Sequence, residues 1–288
     1  MNTLLNRRQI VRLAGAAMAL PVLGLRAKEL EDLDKVRASG VLKVAIYKDN
    51  APYSDGPSAA LSGVDVALAQ GLARELGLRL QQLPFDAGED MGDDLRNMVW
   101  RGHYLGYGPA DVMLHVPVDK MLMRDNKQAL IFAPYSRETL VVFHNPQRLP
   151  AIGSGDDLAG HALAVERGTG AASALLGYQS GLLRDRIKIF DNGVQAAQAV
   201  IAGQVDAAYV TRAQAEAALF AAQAQARDFA LSELGLPGLS DHGWALGMAV
   251  RASNQELATA LDAALQRLRD KGDLVAMFRD RGLTLVAP

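Results

Sequence analysis

The chain has 288 residues, of which 30 are Lys or Arg and 32 Asp or Glu, and half of it is apolar. That length allows one large domain or two small ones, and that much apolar mass fills one or two sizeable cores, which excludes a chain that stays disordered. Balanced charge, few aromatics and no basic run beyond the first residues exclude a nucleic-acid surface and a basic membrane-docking face, so a small molecule is the expected partner.

Residues 1–27 hold Arg7, Arg8, Arg12 and Arg26 and no acid. Behind Arg7-Arg8 runs an apolar stretch from Ile10 to Leu23, too short and too rich in Ala and Gly for a membrane span. The segment reads as a signal peptide, cleaved near Ala27, although Leu25 fits the small-x-small cleavage pattern poorly. Asn6-Arg7-Arg8-Gln9-Ile10 is similar to the twin-arginine export signal, with Asn before the pair and Val third after it, and the general secretory route stays open beside it. The chain has no cysteine. An exported protein of this size then rests on its core rather than on disulfides, and neither a lipid anchor through an N-terminal Cys nor a Cys-ligated metal is available to it. The expectation is a freely soluble periplasmic protein with no cofactor.

Leu30 to Ser39 reads as a short helix ended by Gly40, and the β-branched alternation of Val41 to Ile46 as a strand. Asn50 to Pro57 is a loop by its turn residues. Helical spacing runs from Val64 to Leu76 and stops at Gly77, with the strand Leu78 to Leu83 behind it. A second unit follows the middle of the chain: strand Ala162 to Val165, turn Gly168-Thr169-Gly170, helix Ala171 to Gly181, strand Ile187 to Phe190, helix Val194 to Ala202, strand Val205 to Val210. Alternating β and α elements predict parallel sheets with helices on both faces, and two such units predict two α/β lobes. From Asn254 to Arg281 the pattern is helical again, with Leu257, Leu261, Leu265 and Leu268 on one core-facing stripe and Gly272 closing the main helix.

Several short segments, taken in order, carry a resemblance. They are Gly40 to Ala45, the loop Ala51-Pro52-Tyr53-Ser54, the helix start Leu61 to Ala69, Ala110-Asp111-Val112-Met113, Ile131 to Tyr135, Glu166 to Gly170 and Gly203 to Ala207. Over nearly all of the chain beyond the signal they resemble the bacterial extracellular solute-binding proteins of the polar amino-acid type, family 3. The resemblance implies an α/β fold of the periplasmic binding protein type II, two α/β lobes joined by a two-strand hinge. Lobe 1 would span 29–137 plus 247–288 and lobe 2 138–246, with crossovers near 137–139 and 244–246. A monomer that closes on a small ligand in the cleft and presents it to an ABC permease, without catalysis, is what the family does.

The resemblance also implies a site. Tyr53 matches the family's stacking aromatic, and His115 falls at the C-terminal end of a strand, where open α/β sheets bind ligands. Amino-acid binders of this family hold the ligand carboxylate with a bidentate Arg in lobe 1. The segment His115 to Arg124 lacks the expected Thr-Pro-x-Arg, which leaves Arg124 and Lys120 as candidates. The family's acidic partner for the ligand ammonium falls on Thr211, a neutral hydroxyl that cannot supply charge. Gly168 and Thr169 still offer backbone N–H groups and a hydroxyl at a helix N-terminus.

Asp86 to Pro109 departs from the family pattern like an insertion and leads directly into Asp111 to Pro117. This block resembles a branch found with bacterial pyrroloquinoline-quinone alcohol dehydrogenases, akin to the binding-protein-like accessory proteins of methanol oxidation. It implies a periplasmic quinoprotein dehydrogenase or its cytochrome as the partner in place of a permease. Within it, Glu89, Asp90, Asp93 and Asp94 have the chemistry for a hard cation, or equally for a helix start whose dipole favours acids. His103, His115, Met113, Met121 and Met123 could suit copper, but their spacing matches no ligand pattern and core packing accounts for them. Trp100 and Tyr104 are expected on one packed helical face, and Trp244 in hinge packing. Cyclohexadienyl dehydratases share the fold and form the enzymatic alternative, although no ring-binding Arg or catalytic carboxylate can be assigned from the sequence.

Overall fold

The computed structural model describes residues 32–240 and 242–288; the predicted signal peptide lies outside them. The first α/β unit comprises α1 (Asp32–Ser39), β1 (Val41–Tyr47), α2 (Val64–Glu75), β2 (Arg79–Phe85), α3 (Met91–Leu95), β3 (Val112–Pro117), α4 (Lys120–Asp125) and β4 (Ala129–Glu138). The second comprises β5 (Leu140–His144), β6 (Leu163–Glu166), α5 (Gly170–Gly177), β7 (Ile187–Phe190), α6 (Gly193–Ile201), β8 (Ala207–Thr211), α7 (Arg212–Ala221) and β9 (Ala230–Ser232). The chain then returns through β10 (Trp244–Arg251) and ends in α8 (Gln255–Asp270) and α9 (Asp273–Arg279).

Two five-stranded sheets result, ordered β2-β1-β3-β10-β4 and β7-β6-β8-β5-β9. In each, a central strand pairs in parallel with two neighbours: β1 with β2 and β3, and β6 with β7 and β8. The fourth place is filled by a strand arriving from the other lobe, β10 in the first sheet and β5 in the second, and each runs antiparallel to both neighbours. The sheets are therefore mixed rather than parallel. A strand that crosses between lobes enters from the opposite end of the sheet, a consequence of tertiary path that local β/α alternation does not encode.

The strand faces alternate as expected of a sheet covered on both sides. Leu42, Val44 and Ile46 of β1 pack on one side with Leu68 and Leu72 of α2 and with the α8 stripe Leu257, Leu261, Leu265 and Leu268, all fully buried. Ala45 and Tyr47 face the other side, against Phe85, Leu95 and Met98. Gly272, in the left-handed region at φ +75°, separates α8 from α9. In the second sheet Val141 and Phe143 line one core, and Val142, Leu163 and Val165 the other.

In the Asp86 to Pro109 block, α3 continues as a π-helical turn, Arg96–Trp100, and then breaks at Gly102 (φ +90°). Trp100 and Tyr104 consequently do not share a helical face. Tyr104 is 88 % exposed and, with Tyr107, stacks on the His103 ring at 4.3 and 4.2 Å. Three acids of the cluster, Asp90, Asp93 and Asp94, are separately occupied. Asp90 caps α3 by accepting from the Asp93 N–H, Asp93 pairs with Arg96 at 2.6 Å, and buried Asp94 accepts from the Tyr47 hydroxyl at 2.6 Å and the Gly88 N–H at 2.7 Å. Among the described residues no group of three His, Cys, Asp or Glu has the arrangement of a metal site.

The loop carrying Tyr53 is fixed through Gly63. The Asp65 N–H donates to the Tyr53 carbonyl at 2.9 Å, and a Cβ added at Gly63 (φ +139°) would lie 2.1 Å from that same oxygen. Backbone must therefore move for any side chain to fit. Gly63→Ala should lower the unfolding free energy by about 3 kcal/mol. Gly272→Ala, which meets nothing within 4 Å, should lose only the left-handed-backbone cost of about 1 kcal/mol. Equal losses in urea denaturation would remove the steric account.

Candidate functional site

The strand ends meet where the chain passes between the sheets. The last residue of β4, Glu138, pairs across the ladder with Trp244, the first of β10. One residue later β5 begins, with Leu140 opposite Thr211 of β8. A cavity of about 310 Å³ opens here, lined by Asn50, Tyr53, Glu138 and Trp244 on one side and by Glu166, Thr169, Thr211 and Gln214 on the other. A second cavity of about 480 Å³ adjoins it, sharing Asn50, Glu138, Glu166 and Trp244 and reaching Lys48, Asp94 and His115.

His115 sits at a bulge. Leu114 and His115 together face Met248 of β10, and His115 takes φ +61°, which turns its imidazole out of the strand alternation toward the crossover. Its N–H donates to the Tyr135 hydroxyl (3.1 Å), which donates in turn to Asp65 Oδ1 (2.8 Å). The ring Nδ1 lies 3.0 Å from Asp65 Oδ2 and Nε2 3.8 Å from Glu138 Oε2. The imidazole is thus held between two carboxylates, Asp65 being 1 % exposed and Glu138 7 %. The Tyr53 ring meets it edge-on at 4.5 Å, and the Tyr53 and Thr211 hydroxyls lie near enough to Glu138 to favour its charged form.

Burial on its own pushes the His115 imidazolium down, but the charge and hydrogen bond of Asp65 and the charge of Glu138 outweigh it and leave the pKa raised. Burial raises Glu138 above the ordinary carboxylate range despite His115, Thr211 and Tyr53. Glu166, at the end of β6, is likewise raised by burial. It accepts from Gln214 Nε2 at 2.7 Å and from the Gly193 N–H at 3.0 Å, both on Oε2. No Lys or Arg lines the 310 Å³ cavity. Lys48, in the adjoining one, is held by Asp86 at 2.8 Å.

Of the residues singled out in the sequence, Tyr53, Thr169 and Thr211 line the first cavity and His115 the second. Thr169 caps α5, accepting from the Ala172 N–H and donating to the Glu166 carbonyl. Thr211 and Gln214 form the capping box of α7. Gly168, at φ +75°, shapes the turn before Thr169 and lines neither cavity. Arg124 is not brought to the site: it stands on exposed α4, 66 % exposed and paired with Asp125 at 2.9 Å. Trp244 lines both cavities as well as packing at the crossover. Sequence reasoning missed Asp65, Glu138, Glu166 and Gln214. A signal existed for Glu166, which closes the otherwise apolar strand β6, and the carboxyl ends of such strands face ligand sites; Glu138 follows Ser136 and Arg137 and gave none.

No protein-family model and no curated protein sequence matches the chain. Solved structures do match it in shape. An ancestral cationic amino-acid solute-binding protein, AncCDT-1, also described as a precursor of cyclohexadienyl dehydratase, is 21 % identical with a TM-score of 0.64 over 87 % of this chain and 99 % of that one. An amino-acid ABC transporter substrate-binding protein from Streptococcus pneumoniae bound to L-arginine is 20 % identical, with a TM-score of 0.61 over 89 % and 100 %. A substrate-binding protein of an ABC uptake transporter from the same species, with bound histidine, is 14 % identical, with a TM-score of 0.62 over 90 % and 99 %. The chain has the periplasmic-binding-protein-like fold, two α/β lobes each built on a mixed sheet.

The buried triad makes stability depend on pH. Because the folded pKa of His115 is raised, its contribution is fully present below the unfolded value of about 6.5 and is lost as pH rises through the folded one. His115→Ala leaves Asp65 and Glu138 buried without their shared partner and should cost about 3 kcal/mol. In chemical denaturation the gap from the parent should be wider near pH 6 than near pH 9; an equal gap at both would show the imidazole to be uncharged.

Proposed function

We propose that the chain is a periplasmic solute-binding protein, one that closes two lobes on a small polar ligand and presents the closed form to an ABC permease. The observation that carries this is the composition of the cavity, which takes its lining from both sheets exactly where two strands cross. A ligand touching both sides favours the closed arrangement by those contacts alone. The apolar, arginine-bearing start of the sequence supports export, and the bound arginine and histidine of the similar structures support a small polar ligand.

Two other readings meet this one. A role beside a quinoprotein dehydrogenase or its cytochrome rests on the Asp86 to Pro117 block, and one feature favours it: the loop there exposes Tyr104, Leu105 and Tyr107 together. Co-purification with the dehydrogenase that is lost in Tyr104→Ala would support that role, and its absence at native abundance would end it. The dehydratase reading needs an Arg for a ring carboxylate, and none lines the cavity. Turnover of prephenate by the purified chain would replace binding with catalysis.

Capture is testable by fluorescence. The chain has two Trp, so Trp100→Phe leaves Trp244, in the cavity lining, as sole reporter. A true ligand should shift its emission and, at about a hundredfold excess over Kd, stabilise the fold by about 2.7 kcal/mol. A panel of amino acids, amines, organic acids, sugars and alcohols that moves neither emission nor melting temperature would sink the proposal.

A further inference from the structure

The charge lining the cleft is one-sided. Glu138 enters from the crossover and Glu166 from the second sheet, so carboxylates stand on two sides of the 310 Å³ cavity. Gln214 and Gly193 both donate to Oε2 of Glu166, so Oε1 is its oxygen open to a guest. The other titratable groups do not reverse the sign. His115 is engaged by Asp65 on Nδ1 and faces Glu138 on Nε2, and two carboxylates around one imidazolium leave that trio negative. In the adjoining cavity Lys48 is paired with Asp86, while Asp49, Asp90 and Asp94 add acid. Arg124 and Lys120, the two candidates for holding a ligand carboxylate, are exposed on α4 and line neither cavity.

Resting on the solute-capture reading, we infer that this cleft takes an organic cation that carries no carboxylate, such as a diamine, a guanidino-amine or a quaternary amine. An ammonium or guanidinium would be paired by Glu138 and Glu166 from opposite lobes, while the Tyr53 and Trp244 rings offer faces that attract cations. A ligand carboxylate would find no basic side chain and would be desolvated beside two like charges. The electropositive features are two helix starts, that of α5, where Gly170 and Ala171 line the cavity, and that of α7, whose cap residues Thr211 and Gln214 line it too. A helix start carries about half a charge, which suits a hydroxyl or carbonyl oxygen but does not outweigh the full charge of Glu166 at the same end.

Calorimetric titration of the purified chain with matched pairs isolates the point. L-arginine and agmatine, and L-lysine and cadaverine, differ only by the carboxylate; choline completes the panel of cations, with succinate and glucose as anionic and neutral controls. Agmatine, cadaverine or choline should bind at least about tenfold more tightly than either amino acid, and that affinity should fall as pH drops through the raised glutamate values. E166Q keeps an amide oxygen for Gln214 and Gly193 and should weaken the amine about tenfold with unfolding behaviour unchanged; should that variant not fold, E138Q carries the same test. Equal or tighter binding of the amino acids, or no loss in a folded glutamine variant, overturns the inference. Binding of succinate or glucose alone overturns it while leaving solute capture standing, and silence from every compound, including the broader panel followed by Trp244 emission, overturns capture itself.

Discussion

Glu138 and Trp244 form the last rung of the β4–β10 ladder, and the two-lobed architecture turns on that rung. Thr139 alone separates β4 from β5, so the chain leaves one sheet and joins the next within a single residue. A strand end placed so close to two cores is largely withdrawn from water, and the carboxylate it carries needs partners within the protein. Tyr53 from the loop after β1, His115 from the β3 bulge and Thr211 from the start of α7 converge on it. The residue that joins the lobes is therefore also the residue around which the cleft is organised.

The same network links the lobes electrostatically. Asp65 belongs to α2 in the first lobe, and Thr211 caps α7 in the second, with His115 and Glu138 between them. Burial raises Glu138 and Glu166 together, so the empty cleft holds protons more tightly than exposed carboxylates would. Under the proposed reading, a cation arriving between them would favour their ionised forms. On that reading closure and charge compensation would be one event, since the two glutamates line the cavity from different sides of the crossover.

Much of the fold was legible because its signals are local. Val41 to Tyr47, Ile187 to Phe190 and the Leu257 to Leu268 stripe declare themselves by period alone, and Gly40 and Gly272 mark real ends. The mixed sheets were not legible, because the direction of β5 and β10 depends on which lobe each strand comes from. The bulge at His115 was equally hidden: a positive φ in a non-glycine residue is imposed by the β10 register, while the sequence Val112 to Pro117 reads as an unbroken strand. Arg124 was sought at a family spacing, but Asp119 caps α4 by accepting from the Met121 and Leu122 N–H groups, and the helix so started carries Arg124 to the surface.

Thr211 shows why the lost acid and the lost base have different consequences. The family that the sequence resembles keeps an Asp at this position, and here the hydroxyl serves as a helix cap and lies near Glu138. Leu140 pairs with Thr211, and Glu138 stands two residues upstream of that pair, at the end of β4, so both residues line the same cavity. Negative charge absent from β8 is supplied from β4 at nearly the same place, and Glu166 adds more. No comparable substitution replaces the guanidinium, because the elements lining the cavity bring only Tyr, Thr, Gln, Asn and carboxylate side chains among their polar groups, with the Trp244 indole beside them. On the proposed reading, a cavity lined by carboxylates and by no basic side chain would discriminate by charge before shape, and a ligand's own carboxylate would be the group it excludes.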